Sequence, residues 1–188
     1  MFVASEVMLF SGLFLVYLIG HLTHFQAFKI GSHELNLTLG TVNTALLLTS
    51  SLFMAIAVKK AEEGRMKAAS LLLVVTALMG IMFLGIKGFE WYEELKKARV
   101  PGINFSYHGP HAPGVLLFFW FYFTSTVLHA LHVTVGVFSN LWFALVCRFR
   151  PQWIPDPSPV VIAGIYWHLV DLVWIFLFPF LYLVGGIS

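Results

Sequence analysis

Five apolar stretches, each long enough to cross a bilayer, constrain this chain more than any other feature. They cover residues 2–20, 35–58, 68–90, 113–147 and 160–185. A helix needs about 20 residues to traverse the hydrocarbon core. In lipid each backbone N–H and C=O must also find its partner within the segment, so such stretches read as helices. The expected fold class is all-α: an integral membrane bundle of five transmembrane helices forming a single domain over residues 1–188. Composition agrees, since 59% hydrophobic and 11% charged residues, with a mean hydropathy of +0.86, describe a surface that faces mainly lipid. The fourth stretch exceeds one bilayer thickness and is expected to tilt or project into water.

The chain opens as MFVASEVMLF, with neither a basic leader nor a small-residue cleavage site, so the first span is expected to be retained. One cysteine, Cys147, excludes an intrachain disulfide. A net charge of +2 without a basic stripe interleaved with aromatics gives no nucleic-acid signal. Lys59, Lys60, Arg65 and Lys67 lie between spans two and three, and Arg148 and Arg150 between four and five. Lys29, Lys96, Lys97 and Arg99 lie on the opposite side. The excess of basic residues places the N-terminus in the cytoplasm. His21, His24 and His33 read as loop residues, and the aromatics of spans four and five, Tyr182 among them, mostly as packing and lipid contact, with the tyrosines and tryptophans near the span ends as interface anchors.

Ionisable groups at membrane depth are costly unless paired or hydrated, so each is a candidate for function. Glu6 lies in the first span, Lys87 and Glu90 at the end of the third, His129 and His132 in the fourth, and His168 and Asp171 in the fifth. Each of the pairs His129/His132 and His168/Asp171 has the i, i+3 spacing that puts both side chains on one helix face. As metal ligands they would lack the Glu-x-x-His pairs and additional glutamates of a bundle di-iron site. A bis-histidine haem would need facing histidines, which His129 or His132 with His168 could supply. The other reading is a structural network in which these groups satisfy one another, with Gly136, Ala163 and Gly164 admitting close helix approach. Such a network could also hold a proton. Lys87 and Glu90 read as a pair near the interface whose lysine stem reaches water. His108 and His111, in the loop SYHGPHAP, form a second His-x-x-His in a setting where histidine is more often solvated than metal-bound.

At these residues the sequence resembles the cytochrome c oxidase subunit III family. SEVMLFSGLF (residues 5–14) is similar to the family's glutamate-bearing helix, and LGTVNTALLLTSS (39–51) to its Asn-Thr and Ser-Ser helix. FLGIKGFEWYEE (83–94) is similar to the helix ending in Glu and an aromatic, and FTSTVLHALHVTVG (123–136) to the His-x-x-His-Val stretch. GIYWHLVDLVWIFLFPFLY (164–182) is similar to the Tyr-Trp-His-x-Val-Asp-x-Val-Trp signature. Many members have seven helices, two of which form one arm of a lipid-filled cleft, and this chain begins at what resembles the third. Lys87 stands where many members have Gln and Ser125 where many have Gly, which suits a bacterial short form or a quinol oxidase or nitric oxide reductase relative.

The resemblance implies a non-catalytic subunit of a haem-copper terminal oxidase in the bacterial inner membrane. It would pack on the catalytic subunit I, alongside subunit II, supporting its stability and proton uptake in aerobic electron transport. Haem and copper would then reside in the partner subunits, with no cofactor in this chain beyond bound phospholipid. Glu6, Glu90, His129, His132, His168 and Asp171 carry over as a buried polar network with structural, lipid-related or proton-related roles, none of them catalytic.

Overall fold

A computed structural model of the chain describes residues 2–183 except 108, 110 and 155, with the side chains of residues 2–4 also left out. Its regular structure is helical: α1 (Phe2–Thr23), α2 (Phe25–His33), α3 (Leu37–Glu62), α4 (Met66–Lys96), α5 (Ala112–Phe149) and α6 (Ser158–Phe178). A 3₁₀ turn, Pro151–Trp153, precedes α6, and a π-helical turn, Pro179–Leu183, follows it. Five of the helical stretches are long and apolar enough to cross a membrane: Ser5–Thr23, Leu37–Glu62, Met66–Lys96, Ala112–Phe149 and Ser158–Leu183. The chain is thus an all-α, multi-pass membrane protein. At about 1.5 Å per residue, α5 is roughly 57 Å long, well beyond the ~30 Å hydrocarbon core.

The helix ends follow local chemistry. Asn36 caps α3, its Oδ1 accepting from the Leu39 N–H at 3.2 Å. Lys59 and Lys60 stand in the last turn of α3, where cations complement the helix dipole. The helix then closes at Gly64, whose φ of 72° suits a residue without Cβ, as the Arg65 N–H donates to the Lys60 carbonyl at 2.9 Å. The end of α4 closes in the same way on Ala98, with φ 54° and the Arg99 N–H donating to the Glu94 carbonyl at 3.1 Å. Pro113 and Pro159 are second in α5 and α6, where a missing N–H leaves no bond unmade. Pro179, by contrast, lacks the N–H that would continue α6, and the backbone opens there into the π turn. The Tyr17 hydroxyl donates to the carbonyl of Phe180 within that turn.

One difference from the sequence reading lies between the first two spans. His21 lies in the last turn of α1 and His33 ends α2, a nine-residue helix where a loop was expected. The segment FQAFKIGSH is too short and too polar to stand out as a span, yet it buries Ala27, Phe28, Gly31 and Ser32. Tertiary packing on that face stabilises a helix that would be marginal in isolation.

The chain divides into two compact units, Met1–Thr41 with Lys87–His129 and Val173–Ser188, and Val42–Ile86 with Ala130–Leu172. In the first, Tyr17 is buried among aromatic rings, with centroids 5.2 Å from Phe28, 4.8 Å from Phe121 and 5.3 Å from Phe180. Gly31 lets α2 meet Phe118 of α5, since a Cβ there would stand 2.4 Å from the ring. In the second, Trp167 of α6 lies between Gly80 of α4 and Gly136 of α5, and a Cβ on either glycine would come within 2.7 Å of the indole. Helices in lipid gain little from the hydrophobic effect on meeting, so close van der Waals contact at small residues has to hold them. Gly164 serves α3 likewise, facing Val58 and Met54.

Candidate functional site

In the first unit, Lys87 is 1% exposed and lies inside a cage of partners. Its Nζ donates to Glu90 Oε2 at 2.9 Å and to the Tyr182 hydroxyl at 2.5 Å, with the Tyr122 hydroxyl at 3.4 Å. Tyr182 in turn donates to Glu90 Oε1 at 2.5 Å, so both carboxylate oxygens are used. The ammonium also stands about 5 Å from the ring centroids of Tyr122 (5.0 Å), Trp174 (5.0 Å) and Tyr182 (5.1 Å). Such rings attract a desolvated cation through their quadrupoles. His129 stacks on the other member of this group, Trp174, at 5.1 Å.

This corrects two expectations. Lys87 does not reach water along its stem, because its nitrogen is held by Glu90 and Tyr182. Tyr182 is 3% exposed and belongs to this group, not to an interface belt. Spacing alone revealed the Lys87–Glu90 pair, but nothing in the sequence marks Tyr122, Trp174 and Tyr182 as its neighbours. Glu6 is half-buried in the same unit.

A second polar group in this unit ties down its loops. Arg99 donates to Glu34 Oε2 at 2.5 Å and to Glu94 Oε2 at 3.4 Å, while Lys97 donates to Glu94 Oε1 at 2.8 Å. The turn after α4 is thereby joined to the end of α2.

The second unit contains His132, His168 and Asp171. His168 Nδ1 and Ser51 Oγ are 2.7 Å apart, the Trp167 indole N–H donates to Ser50 Oγ at 3.1 Å, and the Tyr166 hydroxyl donates to the backbone carbonyl of His132 at 3.0 Å. The Asp171 carboxyl approaches Ser51, but neither oxygen meets hydrogen-bond geometry. The side-chain amides of the fully buried Asn43 and Asn140 also find no partner among the described residues.

Among the described residues no three His, Cys, Asp or Glu side chains converge in a way that could hold a metal ion. His108, one half of the loop His-x-x-His, lies outside the described residues; His111 opens the turn before α5 with φ 61°. These buried groups can hold charge, orient helices and retain a proton.

Helices of this length with charges neutralised inside them define an integral membrane protein built around internal polar contacts. The family model of cytochrome c oxidase subunit III matches residues 1–186. The chain belongs to the cytochrome c oxidase subunit III family. Among its relatives, a probable cytochrome c oxidase subunit 3 of Nocardia farcinica is 29% identical over 184 residues, covering 96% of this chain and 83% of the relative. A quinol oxidase subunit 3 of Bacillus subtilis is 30% identical over 185 residues, covering 98% and 84%. A haem-copper oxidase subunit I+III of Aeropyrum pernix is 29% identical over 192 residues, covering 97% of this chain and 22% of the relative.

Proposed function

We propose that this chain is the non-catalytic subunit III of a respiratory haem-copper terminal oxidase, packed on a subunit I that holds the haem and copper, with a subunit II in the same assembly. The observation that carries the reading is the family match over residues 1–186, which takes in every apolar span. The Aeropyrum relative supports the choice of partner, since its name joins subunits I and III. The placement is the bacterial inner membrane, with the N-terminus in the cytoplasm as the basic residues of the α3–α4 and α5–α6 connections favour. Glu6, Glu90 and His129 in the first unit, and His132, His168 and Asp171 in the second, serve as polar groups that fix helix register within each unit and support proton uptake by the partner.

Affinity purification of the tagged chain from its native membrane tests this reading. The expected result is co-purification with a haem-copper subunit, and purification of the chain without one overturns it. Assaying that complex with reduced cytochrome c and with a quinol separates the two donor classes, both of which occur among the relatives' names. Glu6→Ala is expected to shorten the active lifetime of the complex during turnover while leaving its initial rate near wild type. An immediate loss of rate in the assembled complex would contradict the supporting role.

A further inference from the structure

We propose that the exposed face formed by the α3–α4 turn and the end of α5 in the second unit is a docking surface for an acidic segment of a partner protein, one with a large apolar side chain among its carboxylates. At its centre is an open hollow of about 480 Å³, bordered by Met66 and Ala68 at the start of α4 and by Pro151 after α5. Its lining is mostly apolar, yet Arg65, Lys67 and Arg148 also border it, all three exposed. Next to Pro151 the Arg150 guanidinium lies over the indole of Trp153, 5.0 Å from the ring centroid, and Trp153 is 59% exposed.

Charge complementarity decides the sign of the partner. Among the described residues Lys67, Arg148 and Arg150 enter no ion pair, whereas Lys60 pairs with Glu63 at 2.6 Å and Arg65 stands 4.0 Å from the same glutamate. The other acids beside these two connections are Glu62 and Asp156, and the Asp156 carboxylate accepts a hydrogen bond from the Ser158 hydroxyl at 2.5 Å. An excess of basic residues on this side follows from membrane orientation alone, but their gathering about one apolar hollow does not. Carboxylates are the complement that guanidinium groups grip through paired N–H donors. The Arg150–Trp153 stack holds both groups in place before a partner arrives, which lowers the ordering cost of contact. Arginine and tryptophan around an apolar pocket are also the residue types that dominate binding between proteins. A layer of lipid headgroups would engage the cations and leave the hollow unfilled, whereas an acidic segment with one large apolar side chain engages both. The surface does not rest on the oxidase reading, and either can fail without the other.

The test places the full-length chain in nanodiscs of phosphatidylcholine, which carries no net charge, and titrates it with a fluorescent peptide of Asp and Glu residues around one Phe, read by anisotropy. Saturable binding is expected, and its absence overturns the proposal. Replacing the Phe of the peptide by Ser should weaken binding by about fivefold or more, and Arg148→Gln/Arg150→Gln in the chain by about tenfold or more. Arg148→Lys/Arg150→Lys, which keeps both charges, should retain part of what the glutamine pair loses; an equal loss would show that charge is not what the face offers and overturn the site. Lys59→Gln, an exposed charge on the same side but outside the hollow, should leave binding unchanged. Equal weakening by Lys59→Gln, or none on losing the arginine pair or the Phe, would mean diffuse attraction and overturn the site. Adding phosphatidylglycerol to the nanodiscs is expected to leave the peptide bound. Abolition of binding there would assign the face to anionic headgroups and equally overturn it.

Discussion

The two units bury polar side chains on different terms. In the first, Lys87 and Glu90 are both charged types, and each is met by oppositely charged or hydroxyl partners within 2.9 Å. In the second, the neutral amides of Asn43 and Asn140 are buried without a hydrogen-bond partner among the described residues. A buried charge left alone costs several kcal/mol, whereas a buried amide costs about 1–3 kcal/mol. The Lys87–Glu90 pair and the two amides follow that order of penalties, but the carboxyl of Asp171, 3% exposed in the second unit with neither oxygen in hydrogen-bond geometry, does not. The contrast predicts that removing polar atoms damages the first unit and relieves the second.

The sharpest break would come at the ion pair. Glu90→Ala strands the Lys87 ammonium and is expected to lower stability by about 3–5 kcal/mol. Lys87→Met strands the carboxylate, with a similar expected loss. The double variant Lys87→Met/Glu90→Leu should recover most of that, coming within about 2 kcal/mol of wild type, since apolar replacement of a whole buried pair is often near neutral. Reversible unfolding of the purified chain in mixed micelles measures all three. Additive losses in the double variant would show that the two side chains are not coupled.

The second unit should respond with the opposite sign. Asn140→Leu preserves size, removes an unpartnered amide and is expected to raise stability by about 1 kcal/mol in the same assay. A loss of that size would mean that the amide is served by something outside the polypeptide, and the contrast between the units would disappear.

How far the sequence reached follows the same division between local and distant information. The five spans were legible because each is a property of a continuous segment, and the i, i+3 pairing of Lys87 with Glu90 is local as well. Tyr182 lies 95 residues from Lys87, and that partnership exists only once the end of α4 and the π turn after α6 are packed. No periodicity in the chain encodes it. α2 escaped for a related reason, its helical state depending on burial of Phe28 and its neighbours more than on its own propensity.

The backbone repeats the contrast on a smaller scale. Gly64 in the second unit and Ala98 in the first end α3 and α4 with nearly the same left-handed turn, but only the glycine adopts it without steric cost. Ala98→Gly is therefore expected to stabilise the chain by up to about 1 kcal/mol, and Gly64→Ala to destabilise it by about 1 kcal/mol. Equal responses at the two positions would show that the loop contacts of Arg99 with Glu34 and Glu94, and not backbone preference, decide the first turn.

The smallest effect belongs to the exposed charges of the second unit. The hydrogen bond from Lys60 holds the Glu63 carboxyl below the usual glutamate range, helped by the positive charges of Lys60, Lys59 and Arg65. A carboxyl whose folded pKa lies below its unfolded value contributes stability above the unfolded value, near 4.3, and loses it as pH falls through the folded value. Glu63→Gln should therefore lower the melting temperature slightly at neutral pH and converge with wild type as pH falls below about 4.3. Raising salt should shrink the difference further, because the pair is open to solvent and screened. A variant that instead changed the melting temperature at pH 7 as strongly as Glu90→Ala would erase the distinction between buried and exposed pairing.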